Sequence, residues 1–375
     1  MHIGCPKEIK IHEYRVGLTP ASVRELTHYG HQVMVESNAG LAIGLEDGDY
    51  IAAGAEIGAS AEEVFATTDL IVKVKEPQPD EICRLNDRHI LFTYLHLAAE
   101  PKQASDLLDT GCSAIAYETV TDIYGGLPLL APMSEVAGRF AIQAGAHALE
   151  MEQGGRGMLL GGVSGVAPAK VVIIGGGVVG ANAARMAIGL EADVTIIDKS
   201  LHHLYELDEH FGAAVNTIYS TVSAIEEFVM EADLVIGGVL VPGASAPKLI
   251  SEELVRRMKN GSVIVDVAID QGGCVETSRP TSHADSTYRK HNVVHYCVTN
   301  IPGAVARTST ISLNNATLPF VMALADKGLR GALMSDKHLL AGLNIHNRTI
   351  THPAVAEALG RDFADPATAL GSTTG

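Results

Sequence analysis

Short apolar runs alternate with amphipathic stretches along most of this chain, and the two recur in a regular order. In residues 1–130 the apolar runs have the length of strands, and the stretches between them have helical periodicity. Strands that alternate with helices form a largely parallel sheet with helices on its faces. The predicted strands are His2–Gly4, Gln32–Glu36, Leu70–Val74, Ile90–Tyr94 and Ala114–Tyr117, and the predicted helices include Pro20–Tyr29 and Lys102–Asp109.

The same alternation is more regular in residues 170–298. Apolar runs separated by helical stretches in this number and order match a complete doubly wound dinucleotide-binding fold. The predicted strands are Val171–Ile174, Val194–Ile197, Val215–Tyr219, Leu234–Ile236, Val263–Val265 and Val293–Tyr296.

An Ala-rich stretch over residues 131–153 joins the two regions and predicts one long helix that starts near Ser134. A glycine-dense stretch from Gly154 to Gly165 follows it, and the pattern is helical again from about Thr308 through Ala325. The predicted fold class is therefore α/β, with two domains that are each built on a largely parallel sheet with flanking helices.

Composition and charge argue against several classes of protein. Of the 375 residues, 47% are apolar and 19% are charged, as in ordinary globular proteins, and no apolar run is long enough to span a membrane. The net charge of −17 argues against nucleic acid and anionic membranes as partners. The five cysteines are widely spaced, and the segment MHIGCPKEIK does not resemble a signal peptide. We therefore predict free thiols, a cytoplasmic location and no metal site.

The strongest local signal is the segment KVVIIGGGVVGANAARMAIGLEADVTIID, in which a strand, a glycine turn, a helix and a second strand follow one another. Gly175, Gly177 and Gly180 form G-x-G-x-x-G, which is weak evidence alone and stronger in this context. The glycines permit a tight turn and a close approach to a pyrophosphate at the helix N-terminus. Asp198 ends the second strand, where its carboxylate would accept ribose hydroxyls and repel a 2′-phosphate. The segment predicts an NAD site, with a non-binding glycine turn as the alternative.

Polar residues with possible chemistry follow predicted strands of the first region. Lys73 and Lys75 close the run DLIVKVK, and by alternation they share a face, so the pattern does not choose between them. His96 follows an apolar strand, where a histidine can act as a general acid or base. Arg15 has the chemistry to bind a carboxylate through two parallel hydrogen bonds. The ordinary alternatives are a solvated lysine, a hydrogen-bonded core histidine and a surface arginine.

In the second region two aspartates occur in the segment VIVDVAIDQGG. Asp270 lies past the fifth strand of the nucleotide fold, at the edge of the sheet where ligands bind. Asp266 lies at the end of that strand. The alternative for Asp270 is a loop aspartate that accepts hydrogen bonds from turn amides.

Several motifs together resemble those of the NAD-dependent alanine dehydrogenase family, which includes the NAD-binding part of proton-translocating transhydrogenase. They are IGCPKEIKIHEYRVGLTP, VKVKEP, TYLHLA, APMSEVAGR, IIGGGVVG, LVPGASAPKL, DVAIDQGGCVETSRP and NIPGAVARTST, and they extend from Met1 to about Lys327. The resemblance implies that residues 1–130 and 308–375 form one discontinuous substrate and catalytic domain. A Rossmann NAD-binding domain of residues 131–307 would be inserted into it.

The resemblance also implies roles for individual residues. Arg15 and Lys75 would bind the substrate carboxylate and keto oxygen, and Met133 would line the substrate pocket. His96 would be the proton donor and acceptor, with Asp270 as the second acid/base. The residues implied to contact NAD are Ser134, Gly175, Gly177, Val178, Val179, Gly180, Asp198, His203, Ser220, Val239, Leu240, Val267, Ala268, Ile269, Arg279, Val298, Thr299, Asn300 and Ile301.

The activity implied is reversible oxidative deamination of L-alanine to pyruvate and ammonium with NAD as cofactor, in a homo-oligomer that the resemblance suggests is a hexamer. One alternative is an NAD-binding transhydrogenase subunit. The other is a non-catalytic NAD-binding sensor. His203 departs from the family pattern, because lysine or arginine is common there near the adenosine and a neutral histidine would weaken that contact. Glu191 and Ala306 also depart from the pattern, but neither would touch the proposed chemistry.

Overall fold

A computed structural model describes residues 1–239 and 246–371. Leu240, one of the predicted NAD contacts, lies outside the described residues. The strands are β1 His2–Cys5, β2 Gln32–Glu36, β3 Glu56–Gly58, β4 Leu70–Val72, β5 Ile90–Thr93, β6 Ser113–Ala116, β7 Lys170–Ile174, β8 Asp193–Asp198, β9 Asn216–Tyr219, β10 Leu234–Gly237, β11 Val263–Asp266, β12 Thr287–Lys290, β13 Val293–Tyr296, β14 Leu343–His346 and β15 Thr349–Ile350.

The helices complete the α/β pattern. They are α1 Pro20–His28, α2 Asp47–Ala52, α3 Ala61–Thr67, α4 Pro79–Ile82, α5 Pro101–Thr110, α6 Ala131–Ala148, α7 Val178–Gly189, α8 Leu201–Phe211, α9 Val222–Glu231, α10 Glu252–Arg257, α11 Ala306–Ser335, α12 Lys337–Leu340, α13 Pro353–Leu359 and α14 Pro366–Gly371. Short 3₁₀ turns include Tyr117–Thr119 after β6 and Val267–Gln271 after β11. Within the described residues, no helix is long and apolar enough to cross a membrane.

The chain divides into two units, and unit 1 comprises Met1–Met133 together with Val305–Gly375. Its described sheet has the strand order β15-β14-β6-β5-β4-β1-β2-β3. Strands β1 to β6 pair in parallel, whereas β14 pairs antiparallel with both β6 and β15. The direction of winding reverses between β1 and β4. In open sheets of this kind, ligands bind beyond the carboxyl ends of the strands at such a reversal.

Unit 2 comprises Ser134–Ala304, and its described sheet has the order β12-β13-β11-β10-β7-β8-β9. All neighbouring strands are parallel except the edge pair β12 and β13. Here the reversal lies between β7 and β10. The sequence prediction of an α/β fold with two largely parallel sheets is confirmed.

Local chemistry accounts for the helix starts. Thr19 caps α1, because its hydroxyl oxygen accepts the amide of Ser22 at 3.2 Å, and Pro20 occupies the first helical position. Ser200 caps α8 in the same way through the amide of His203 at 3.2 Å. The predicted start of the first helix at Pro20 is confirmed.

Some predicted boundaries were wrong. The helix expected over residues 131–153 ends at Ala148, and a separate 3₁₀ turn follows at Met151–Gln153. The expected strand Leu70–Val74 ends at Val72. The amide of Lys73 still donates to the carbonyl of Phe92 on β5, but the amides of Val74 and Lys75 donate to the Glu8 carboxylate instead of a neighbouring strand. The pattern also missed β3, β12, β14 and β15, which are short strands at or next to the edges of the sheets, where the apolar signal is weak.

Candidate functional site

Arg15 lies in the loop after β1 and is buried, with 2% of its side chain exposed. Its Nε and Nη2 donate to the two carboxylate oxygens of Glu13 at 2.7 and 2.6 Å, and Nη1 lies 3.1 Å from Met133 Sδ. Burial alone would lower the pKa of Arg15, but the charge and hydrogen bonds of Glu13, together with Tyr94 and Glu8, raise the pKa above its ordinary value. The guanidinium is therefore a fixed, oriented cation and not a surface arginine.

Lys73 and Lys75, which the sequence pattern did not separate, have different environments. Lys73 is fully buried, and its Nζ donates to Glu81 at 2.7 Å and to Glu8 at 3.1 Å. Burial would lower the pKa of Lys73, but the two carboxylates raise it, so Lys73 stays charged as part of a buried triad. Lys75 is half-buried. The assigned strand ends at Val72, before either lysine, and the two lysines differ in burial.

The buried triad also holds the backbone of the Lys75 segment. Glu8 Oε1 accepts the amides of Val74 and Lys75 at 2.7 and 3.3 Å. Lys10 forms an ion pair with Glu76, the residue after Lys75. These contacts fix the chain at the carboxyl end of β4, so Lys75 projects from a rigid segment.

His96 lies beyond the end of β5 and is exposed over 44% of its side chain, so it is not a core histidine. Its backbone is left-handed, with φ of 51°, which is uncommon for a residue with a side chain. Its ring stacks on that of Tyr94, with the centroids 5.9 Å apart and the planes at 4°. A solvent-accessible imidazole on a rigid aromatic support has the properties that general acid–base catalysis needs.

In unit 2 the glycine turn lies between β7 and α7. Gly175 has φ of 100°, and a Cβ at this position would lie 2.8 Å from the carbonyl oxygen of Gly238, so close approach of two strand ends requires glycine. A Cβ on Gly180 would lie 1.8 Å from the carbonyl oxygen of Gly175. By contrast, a Cβ on Gly177 would meet nothing within 4 Å. Gly177 therefore borders open space at the N-terminus of α7, which fits a phosphate group.

Asp198 ends β8 and is tied to this turn. Its Oδ2 accepts the amide of Gly176 at 2.5 Å, and its Oδ1 accepts the amide of Ser200 at 2.7 Å. His203 Nδ1 lies 3.8 Å from Oδ1. The carboxylate is thereby held at the strand end, in the position that recognises a ribose in this fold.

Asp270 is exposed in the 3₁₀ turn Val267–Gln271. The turn is held by Asp266, which is fully buried and accepts the hydroxyl of Ser278 at 2.6 Å and the amide of Cys274 at 3.0 Å. The two aspartates thus differ in burial. Asp266 anchors the loop, and Asp270 is presented to solvent.

The remaining predicted cofactor contacts of unit 2 also lie mostly at strand ends and helix starts. Arg279 is exposed with its guanidinium 4.2 Å from the ring centroid of Tyr288, in a cation–π contact. The others are Ser134 in α6, Val178 and Val179 at the start of α7, Ser220 after β9, Val239 after β10, Val267, Ala268 and Ile269 in the turn after β11, and Val298, Thr299, Asn300 and Ile301 after β13.

The sequence analysis missed most of the carboxylates that organise the site residues. Glu13, Glu8 and Glu118 each contact a predicted site residue or its backbone. Glu118 had a usable signal, because it follows the apolar run of β6 just as His96 follows that of β5. Glu8 had none, because its partners Lys73 and Val74 lie far away in the sequence. Glu13 had none either, although its partner Arg15 is only two residues away, because no sequence motif marks this contact.

Comparisons with known proteins fit this geometry. Residues 4–137 match the model of the N-terminal domain of alanine dehydrogenase/PNT, and residues 141–353 match that of its C-terminal domain. The chain belongs to the alanine dehydrogenase/PNT family. Within this family it is 59% identical over 371 residues to an alanine dehydrogenase of Halomonas elongata. The aligned region covers 99% of this chain and 100% of that one.

Solved structures of the family are similar as well. An L-alanine dehydrogenase matches with a TM-score of 0.93 and 53% identity, over 96% of this chain and 99% of that one. A transhydrogenase from Sinorhizobium meliloti matches with a TM-score of 0.79 and 25% identity, over 94% of this chain and 100% of that one. Both the similarity of fold and the identity are higher for the alanine dehydrogenase.

Proposed function

We propose that this chain is an NAD-dependent alanine dehydrogenase. It interconverts L-alanine, NAD⁺ and water with pyruvate, ammonium, NADH and a proton. The observation that carries the proposal is the 59% identity to an alanine dehydrogenase over nearly the whole length of both chains. The charged groups at the strand ends of unit 1 support it, because a small 2-oxo acid needs a cation for its carboxylate and an acid/base group for its carbonyl.

In unit 1 we assign substrate recognition to Arg15, Lys75 and Met133. The guanidinium of Arg15, held by Glu13, would bind the substrate carboxylate, with Met133 Sδ beside its Nη1. Lys75 would stabilise negative charge on the oxygen of the carbonyl carbon. The size of the Met133 side chain would limit the substrate to one with a short side chain.

We assign proton transfer to His96 and Asp270. In the direction of alanine oxidation, His96 takes a proton from the water that adds to the imine, and it returns a proton when ammonia leaves. Asp270 balances the positive charge of the imine and orients the attacking water or the leaving ammonia. Both side chains are solvent-exposed, as groups that exchange protons with substrate and water require.

We assign cofactor binding to unit 2. The amides at the start of α7 would hold the pyrophosphate, with Gly177 leaving room for it, and Asp198 would accept the ribose hydroxyls. When bound, the nicotinamide supplies the hydride acceptor and donor for the substrate carbon. Arg279 on Tyr288 would offer a fixed positive charge to the cofactor. The carboxylate of Asp198 disfavours a 2′-phosphate, which supports NAD over NADP.

We also assign a role to each unit and propose a cellular location and a subunit number. We propose that unit 1 is the substrate and catalytic domain and unit 2 the NAD-binding domain. We also propose a cytoplasmic homohexamer. Light scattering coupled to size-exclusion chromatography tests the hexamer, since any other subunit number contradicts it.

The test of the activity is oxidation of NADH by the purified protein with pyruvate and ammonium, followed by absorbance. We expect turnover that needs all three reactants. His96→Ala and Asp270→Asn should each lower kcat by about 10²-fold or more while NADH binding persists. The exposed Glu25→Gln on α1 is the matched control and should keep full activity.

Other results would favour the alternatives. NADH binding without turnover of any 2-oxo acid indicates a sensor. Hydride exchange between NADH and an NADP analogue without pyruvate turnover indicates a transhydrogenase subunit. Near-normal turnover in both the His96 and the Asp270 variants would contradict the assigned roles.

A further inference from the structure

The carboxylate of Glu118 lies against the backbone that carries His96. Glu118 sits in the 3₁₀ turn after β6, and His96 follows the neighbouring strand β5. One carboxylate oxygen, Oε1, accepts the amide of His96 at 2.6 Å. The amide of Leu95 lies 3.2 Å from each of the two oxygens. Two successive amides thus converge on one carboxylate, although Glu118 is not among the residues assigned to the reaction.

This contact holds an unfavourable backbone conformation. His96 has φ of 51°, and a left-handed conformation at a residue with a side chain costs free energy unless its surroundings maintain it. Such outliers are concentrated at active sites, where they aim a side chain. The ring of His96 lies against that of Tyr94, and Glu118 accepts the two successive amides, of Leu95 and His96, that lead into the left-handed turn.

The same carboxylate also faces the imidazole. Glu118 Oε1 lies 3.9 Å from His96 Nδ1, and the Glu118 side chain is 14% exposed. A carboxylate and the imidazole that is assigned proton transfer therefore lie within ion-pair distance of each other. A neutral amide in place of Glu118 could accept the same backbone amides but would bring no negative charge to the ring.

Tyr94 and His352 also lie near Glu118, and both are neutral. Tyr94 is buried, and burial raises its pKa far above the ordinary value, so the phenol stays neutral and donates to the carbonyl of Leu129 at 2.5 Å. Burial lowers the pKa of His352, although the charge of Glu118 opposes this shift, so His352 is neutral at neutral pH. His96 is the exposed histidine at this carboxylate.

We propose that Glu118 is the positioning residue for His96, orienting its ring through the backbone and stabilising the imidazolium that forms when His96 accepts a proton. The inference rests on the proposed alanine dehydrogenase activity. In the oxidative direction an O–H bond of water breaks, a bond from His96 to that proton forms, and the oxygen bonds to the imine carbon. Glu118 keeps its own charge throughout and contacts no reactant.

The experiment compares Glu118→Gln with wild type, His96→Ala and the double variant. Glutamine keeps an oxygen acceptor for the two amides but carries no charge. We expect Glu118→Gln to lower kcat by about tenfold to a hundredfold, with the KM for pyruvate and the Kd for NADH changed by less than about threefold. In the His96→Ala background the same substitution should have no further effect on kcat, because Glu118 acts through that ring.

Two further variants sharpen the result. Glu118→Asp keeps the charge at a greater distance and should restore part of the lost kcat. His352→Asn is the matched control, since His352 faces the same carboxylate and has no assigned role, and it should keep kcat within about twofold.

Each opposing outcome has a definite meaning. Wild-type kcat in Glu118→Gln shows that the residue only satisfies the amides, which overturns the inference. Additive losses in the double variant, or loss of NADH binding and folding in Glu118→Gln, show a general structural role and overturn it too. Absence of activity in the wild-type protein overturns the proposed function itself, and the inference with it.

Discussion

In both sheets the direction of winding reverses between the first and fourth strands of the unit, at β1 and β4 in unit 1 and at β7 and β10 in unit 2. The two reversal points carry different chemistry. Unit 1 places charged side chains there, and Arg15 and Lys73 are each buried against carboxylates. Unit 2 places glycines and backbone amides there, with Asp198 bound to amides of the turn.

The two units therefore offer different chemical groups to a ligand at the same kind of sheet edge. A small charged substrate is recognised by side chains, and buried charges must be paired to be tolerated. A pyrophosphate is recognised by backbone amides, which need close approach and therefore glycine. Unit 1 should thus be most sensitive to loss of a charge, and unit 2 to addition of a single methyl group.

The largest effect is expected at the buried triad of unit 1. Lys73→Met leaves the carboxylates of Glu8 and Glu81 buried without their cation and should lower the free energy of unfolding by about 3–5 kcal/mol. Lys75→Met, on the same segment, should lower it by less than about 1 kcal/mol while turnover is lost. Urea denaturation of both variants measures the contrast. Equal losses of stability would contradict the distinction between the two lysines.

The next effect is expected in unit 2. Gly180→Ala forces a Cβ to within 1.8 Å of a carbonyl oxygen in the glycine turn and should lower the free energy of unfolding by about 1–3 kcal/mol. Thermal and urea unfolding of the variant, beside an Ala substitution at the open helix position Gly189, give the measurement. A Cβ on Gly189 meets nothing within 4 Å. Unchanged stability in Gly180→Ala would contradict the account of the turn.

Gly177→Ala separates binding from folding at the same turn. The added Cβ has open space, and Gly177 has φ of −72°, so stability should not change. A pyrophosphate that needs this space should bind about tenfold more weakly, which is about 1.4 kcal/mol. NADH titration followed by fluorescence measures the affinity. Wild-type affinity would place the phosphates elsewhere.

The smallest effect is a pH dependence of stability shared by both units. Burial lowers the pKa of His89 in unit 1 and of His295 in unit 2. The unfolded chain therefore binds more protons below the ordinary histidine pKa, so stability is full above about pH 6.5 and falls as the pH drops through the folded values. Urea unfolding between neutral and mildly acidic pH measures the slope.

The variant His89→Asn tests that slope, because it removes one of the groups. Its stability should fall less steeply with acid than that of the wild type, whatever its stability at neutral pH. The exposed His202→Asn is the control and should leave the slope unchanged. An identical slope in His89→Asn would show that His89 does not contribute.

Much of the fold was predictable because its signals are local. The strands flanking the glycine turn are continuous apolar runs, and the largely parallel pairing of both sheets follows from alternation with helices. The predicted glycines Gly175 and Gly180 occupy positions that need glycine for steric reasons, whereas Gly177 borders open space. The short edge strands were not predictable, since β14 and β15 are defined by their pairing with β6 and with each other.

The amino-acid sequence by itself determined the fold class, through the alternation of apolar runs and helical stretches, and the glycine turn, which is encoded in one short segment. Its motifs also carry the resemblance to an NAD-dependent amino-acid dehydrogenase. Only the tertiary structure showed that Lys73 is buried against two carboxylates whereas Lys75 is half-buried. Glu8 and Glu81 lie in the loop after β1 and in α4, and no local pattern reports their contacts with Lys73. Glu118 follows an apolar strand and could be suspected from the sequence, but its contacts with the amides of Leu95 and His96 could not. Those contacts exist only because β5 and β6 pair and bring separate segments of the chain together.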